Sequence, residues 1–181
     1  QDPTGAFGFV GNAGSAKVQG LEVELFARPD DHWDLVGGLS WLPTRELTED
    51  QVSDEVVAAG LDGDLIPRIP EVTLNGTAQY NYDIAHLVDW SGWLRGEYSF
   101  KGSSRTELRP GSVNDRPQKS FSLVNFRAGF RNDDLEMDIV LFIENAFNVR
   151  ADLLIQAANG EPTSKITNRP RTIGLQINKS F

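Results

Sequence analysis

Histidine occurs only at His32 and His86 and cysteine is absent, so the side chains that most often carry covalent or metal chemistry are almost missing. Without thiols there is no disulfide framework, no thiolate-held zinc or iron–sulfur cluster and no cysteine nucleophile. The two imidazoles stand in separate turn-like segments, so a zinc site would need carboxylates to complete it, and a Ser–His–Asp relay has few candidates. No glycine loop of the phosphate-cradling kind occurs. No catalytic residue, metal ligand or cofactor is assigned, and an enzyme ranks last among the functions considered.

Charge is the chemistry that remains. Arg105, Arg109 and Arg116 make one segment basic, and Arg150 and Lys165 add two cations to another. Guanidinium groups grip anionic oxygens through paired N–H donors, so these five residues are the candidates for contact with an anionic ligand. The plain alternative is that they only solvate a loop. An acidic stretch, Glu46, Glu49, Asp50, Asp54, Glu55, Asp62 and Asp64, suits calcium by charge, but its spacing fits no EF-hand loop. Over the whole chain 17 Lys and Arg stand against 26 Asp and Glu, a formal net charge of -9, which removes the electrostatic footprint of a nucleic-acid binder.

The elements that must position these groups are strands. At 181 residues and 39% hydrophobic content the chain has enough apolar residues for one ordinary domain, and disorder is excluded. Period two dominates. Leu21, Val23 and Leu25 alternate with Glu22 and Glu24; Trp33, Leu35, Leu39 and Trp41 share a face in the next run. Val72, Leu74, Ala78, Tyr80 and Tyr82 oppose Thr73, Asn75, Thr77, Gln79 and Asn81, and Trp90, Leu94, Tyr98 and Phe100 oppose Arg95, Glu97 and Ser99, with Trp93 on the polar side. Val124, Phe126, Ala128 and Phe130 oppose Asn125 and Arg127. The run 135–145 is apolar on both faces near its middle, and in the last run Ile173, Leu175, Ile177 and Phe181 oppose Thr172, Gln176, Asn178 and Ser180. The pattern predicts seven strands and a polar wall of Glu22, Glu24, Asn75, Gln79, Arg95, Glu97, Asn125 and Arg127.

Connections alternate in length. Short turns are expected near 29–32, 83–87 and 132–134, and long links near 43–68, 102–118 and 149–169. Short periplasmic turns on one side and long extracellular loops on the other are the pattern of an all-β, antiparallel outer-membrane barrel, which needs apolar residues only at alternate positions and so escapes a low mean hydropathy. The first long link is expected to hold a short helix, with Thr48 as cap, Gln51 as its capping-box partner and Gly60 as a left-handed stop. Trp33 and Tyr82 adjoin short turns, whereas Trp41, Tyr98 and Phe100 lie toward long loops, as two interfacial girdles would require.

Four segments also resemble a known family. The strand 16–25 (AKVQGLEVEL), the Pro-containing lead into the third strand 65–75 (LIPRIPEVTLN), the segment 140–150 (VLFIENAFNVR) and the closing segment 169–181 (RPRTIGLQINKSF) are similar to the C-terminal part of the barrel of TonB-dependent outer-membrane receptors. Ala146, Asn148 and Lys179 depart from the usual residues of that pattern. The resemblance implies about seven strands of a 22-stranded barrel, with residues 1–181 its C-terminal portion and neither the plug domain nor the TonB-contacting segment in this chain. It implies a bacterial outer-membrane location and TonB-energised uptake of a scarce nutrient, a ferric siderophore first, with cobalamin or a glycan as other cargoes.

The partners so implied are lipid and lipopolysaccharide, the rest of the barrel, the plug, the TonB complex through that plug, and a small nutrient ligand. Ile173, Leu175, Ile177 and Phe181 would then form the outward row of the closing strand, which the assembly machinery reads. Two alternatives stand beside this reading. A small passive barrel or porin would close with one more strand, for instance from 6–12, and a soluble β-sandwich binding carbohydrate would use the apolar faces as its core.

Overall fold

The computed structural model describes residues 14–51, 59–85, 87, 89–156 and 163–180. Seven long strands form one antiparallel sheet: β1 (Ala16–Ala27), β2 (Trp33–Leu47), β3 (Val72–Asp83), β4 (Trp90–Lys101), β7 (Phe121–Asn132), β8 (Met137–Glu144) and β11 (Thr172–Lys179). They lie side by side in chain order, an up-and-down meander, as the seven predicted runs require. Among the described residues β1 and β11 are the two sheet edges and do not pair with each other, so the sheet is an open segment of a barrel wall.

Register puts the two residue classes on opposite faces. Leu21 pairs with Trp41, Leu39 with Leu74, Leu74 with Phe100, Tyr98 with Val124, Phe126 with Ile143 and Leu141 with Leu175. The row stays exposed, with Leu25 57%, Leu94 50%, Leu141 50% and Leu175 62% accessible. A sandwich would bury these side chains; here they form a continuous apolar band, the surface a membrane barrel presents to lipid.

What is buried sits elsewhere. Leu47, Ala151 and Ile155 are buried, together with Arg45, Thr106, Asp115, Gln118, Asn132 and Asn145, all at the ends of the long strands or beyond them. The short turns occupy 28–32, 84–89 and 133–136, and the long loops 48–71, 102–120 and 145–171, in the expected alternation.

The loops depart from the sequence reading in three ways. β2 continues to Leu47, well past Trp41, because β1 pairs with it as far as Ala16 opposite Leu47 and the segment 64–71 returns along its other edge: Leu42 N–H donates to Glu71 O, Ile66 N–H to Arg45 O and Leu47 N–H to Asp64 O. Two small hairpins stand inside loops expected to lack strands, β5 (Ser104–Arg105) with β6 (Pro117–Gln118), and β9 (Asp152–Gln156) with β10 (Ser164–Thr167). The first prolongs the β4/β7 ladder in register, since Lys101 faces Phe121 and Ser104 faces Gln118; pairs this short leave no periodicity to read.

Gly60 is not in a left-handed conformation, contrary to expectation. It is small because a side chain there would strike Leu47 and come within 3.2 Å of Leu108. The helix predicted after Thr48 falls on residues outside the described ones. Its flanks are tied together: Gln51 N–H donates to Gly60 O, and Gly60 N–H donates to Gln51 Oε1, both at 2.9 Å.

Candidate functional site

The polar face and the long loops above it form one continuous assembly. Period two carries Glu22, Glu24, Asn75, Gln79, Arg95, Glu97, Asn125 and Arg127 to the same side of the sheet, where Gln79 faces Arg95, Arg95 faces Arg127 and Glu97 faces Asn125 across the strands. Arg95 donates to Gln79 Oε1 at 2.8 and 2.5 Å; Gln79 donates to Asn81, and Asn81 to Asp34, which pairs with Arg28 at 2.6 Å. A second chain runs from Asn125 Nδ2 to Glu97 (3.2 Å), and from Arg127 to both Glu97 (3.7 Å) and Glu144 (3.3 Å). Ser40 Oγ reaches Glu22 at 3.4 Å, and Asn75 fills the space above Gly38. These chains stiffen the middle of the wall, because Gln79, Asn125 and Arg127 are each held by more than one partner.

Trp93 and Phe142, two of the aromatic residues on the polar face, stand there for a local reason. Trp93 lies directly over Gly129 on β7, and Phe142 over Gly174 on β11; a β-carbon at either glycine would strike the ring. Each ring also carries a guanidinium, Arg95 at 5.2 Å from the Trp93 centroid and Arg127 at 5.7 Å from that of Phe142. This accounts for β8 being apolar on both faces: one row meets lipid and Phe142 covers a glycine. At the short-turn end, the rings of Trp33 and Tyr80 lie 5.0 Å apart, with His32 5.5 Å from Tyr80. His86 lies outside the described residues.

The loops interlock. Arg68 N–H donates to Arg105 O at 2.7 Å and Arg109 stands 3.6 Å from Asp64, joining the first loop to the second. Gln118 Nε2 donates to Asp152 O and Leu153 O at 2.7 and 2.8 Å, joining the second to the third. Within the second loop Arg105 grips the buried Asp115, which also accepts from Gly111 N–H at 2.9 Å. Burial opposes the Asp115 charge, but the Arg105 hydrogen bond, the Gly111 amide and the charges of Arg105 and Arg116 outweigh it, so the carboxyl is held below the usual aspartate value. A cavity of about 320 Å³ lies between these loops, lined in part by Arg45, Ile69, Arg105, Gln118 and Lys119.

The five candidate cations therefore have distinct settings. Arg105 pairs with Asp115, Arg109 with Asp64 and Lys165 with Asp152 at 2.7 Å; Arg116 donates to the carbonyls of Val113 and Asp115; Arg150 is exposed. Arg105, Arg109 and Arg116 lie on the second loop, while Arg150 and Lys165 belong to the third. Ile173, Leu175 and Ile177 form the outward row of β11, 65%, 62% and 60% exposed, and Phe181 lies outside the described residues.

Asn145 has a role that sequence reasoning did not assign. It is buried with φ of 50°, donates through Nδ2 to Val149 O and Arg169 O, and accepts from Val149 N–H, all at 2.9 Å. Asn168 repeats the bond to both carbonyls. The signal was the pair of asparagines in IENAFN, since Asn tolerates positive φ and its amide can replace backbone partners. Asp34, Asn81 and Glu144 were likewise missed as wall members, although their polar-face parity was readable.

Comparison with known proteins agrees with this geometry. The crystal structure of the ferric yersiniabactin uptake receptor FyuA from Yersinia pestis superposes with a TM-score of 0.70 over 92% of this chain at 16% identity, a likeness of fold. The chain spans 24% of that receptor's length. The profile of the TonB dependent receptor-like β-barrel matches residues 1–150. With an exposed apolar band, a paired polar wall and long loops at one end, the chain belongs to the TonB-dependent receptor family of outer-membrane β-barrels, which are receptors and not enzymes.

Proposed function

We propose that this chain is the C-terminal part of a larger receptor barrel that takes up a scarce nutrient across the outer membrane with energy supplied through TonB. The observation that carries the reading is the join of a polar wall, cross-linked from Arg28 through Arg95 and from Glu97 through Glu144, to three interlocked loops at one end, in a barrel of this family. A paired wall suits an inner face that holds a plug domain, since polar groups already satisfied do not have to be stripped of water when it docks. Lipid and lipopolysaccharide surround the outer face, and the TonB complex acts through the plug and not through this segment.

For the cargo we favour a ferric siderophore or similar anionic iron complex over cobalamin or a glycan. Arg105 lines a loop cavity together with Arg45 and Lys119, and Arg109 and Arg116 stand on the same loop, so guanidinium and ammonium donors there would meet carboxylate or catecholate oxygens. Support also comes from the fold likeness to a ferric yersiniabactin uptake receptor. Lys165, on the third loop, is a further contact candidate, and Arg150 stands apart from the cavity.

The test is uptake by cells carrying the full-length receptor under iron limitation, with a labelled ferric chelate. Saturable accumulation that a protonophore and loss of TonB both abolish is the expected result. Accumulation that is indifferent to both would overturn the reading in favour of a passive channel.

A further inference from the structure

At the base of the third long loop three arginines stand close in the backbone without a carboxylate. Asn145 and Asn168 each donate to both Val149 O and Arg169 O, so the segments around Arg150 and Arg169 run side by side. Asn148 Oδ1 accepts from Arg171 N–H at 3.0 Å, and Asn168 Oδ1 from Ala151 N–H at 2.8 Å, which fixes both flanks. Arg150, Arg169 and Arg171 are all exposed. Among the described residues none of the three has a carboxylate within 4.0 Å, which they share with single cations such as Arg68, Arg95 and Lys101; what sets the three apart is that the asparagine bridges hold their backbone segments side by side. In a chain with net charge -9, three adjacent cations left without acidic partners run against the overall composition.

Their height in the wall is defined. Arg171 lies two residues before Ile173, the first member of the outward row Ile173, Leu175 and Ile177, so it stands about 6 Å along the chain from the top of the apolar band. Phe147, 70% exposed, lies in the same turn. Cations on a stiff backbone at the edge of a lipid-facing band, next to an exposed ring, are placed where the anionic headgroups of the surrounding leaflet begin.

We infer that Arg150, Arg169 and Arg171 form a docking surface for the phosphate groups of the glycolipid in the outer leaflet. The inference rests on the uptake reading proposed above, with the long loops on the extracellular side as outer-membrane barrels carry them. Asparagine hydrogen bonds hold the backbone, so the site is formed before the lipid arrives, and binding anchors the third loop and the β8/β11 end to the leaflet.

The test is native mass spectrometry of the full-length receptor in detergent, titrated with bisphosphorylated lipid A, the same lipid stripped of phosphate, and inorganic phosphate. The expected result is adduct formation with the bisphosphorylated lipid at least about tenfold stronger than with the stripped lipid, and no competition from millimolar inorganic phosphate. In the R150Q/R169Q/R171Q variant the preference falls to near unity while the boiling-dependent gel shift is kept. Equal binding of the two lipids to the unmutated receptor overturns the inference without any variant. Displacement by inorganic phosphate overturns the lipid source, and retained preference in a folded variant overturns the residue assignment. Failure of the membrane reading is separate: the unmutated receptor would then show no boiling-dependent shift and no outer-membrane fraction.

Discussion

Leu175→Arg and Gln176→Arg differ by one position in the same strand and should differ sharply in cost. β11 has eight residues, and each advances about 2.6 Å along the membrane normal if the rise is about 3.4 Å and the tilt about 40°. Leu175 is the fourth residue, about 8 Å below the outer end of the strand and about 10 Å above the other, at the centre of the row from Ile173 to Ile177. Its side chain is 62% exposed on the apolar face, opposite Leu141. An arginine there meets hydrocarbon and should cost about 2–4 kcal/mol. Gln176 faces the other way, opposite Val140, with its amide bonded to Asn178 at 3.2 Å. Arginine at 176 has only to replace a weak surface contact and should change stability by about 0.5 kcal/mol or less. The assay is urea unfolding of the full-length receptor in phospholipid vesicles, read by tryptophan fluorescence and by the boiling-dependent gel shift. Similar costs at the two positions, or a larger one at 176, would refute the assignment of faces and with it the barrel register.

Asp115→Asn should loosen the second loop by about 1–3 kcal/mol, because it removes the charge that Arg105 and the Gly111 amide bind; amide exchange across 104–118 should quicken at least about tenfold. Since Asp115 is held below its ordinary value, its contribution is full above about pH 4 and lost as pH falls through the folded-state value; the exchange difference between Asp115→Asn and the parent should therefore shrink in acid. Asn145→Ala removes three hydrogen bonds and puts alanine at a φ of 50°, so cleavage of the third loop by added protease should rise about tenfold or more while the sheet stays protected. Gly129→Val forces the Trp93 ring off β7 and should cost about 1–3 kcal/mol with a shift in tryptophan emission, whereas Trp93→Leu in the same background should recover part of the loss.

Period two and the alternation of connection lengths settled the sheet, its seven long strands, their order and the face each residue takes, because a one-residue slip would turn every Leu and Glu to the wrong side. The polar wall was legible for that reason, from Glu22 through Arg127. Local chemistry carried less. Gly60 looked like a helix stop by type and place, yet its smallness answers to Leu47 and Leu108, residues at a distance in sequence. Trp93 and Phe142 read as exceptions to a polar face until Gly129 and Gly174 came beneath them on neighbouring strands.

The loop cations show the same division most clearly. Sequence alone determined that Arg105, Arg109, Arg116, Arg150 and Lys165 stand outside the seven long strands. Only the tertiary structure decided that Asp115, Asp64 and Asp152 neutralise three of them, and that Arg150 instead stands in the turn with Arg169 and Arg171. The reason is physical: strand pairing follows from a repeat within each segment, whereas ion pairs and asparagine bridges join residues 10 to 45 positions apart, where no repeat announces the partner.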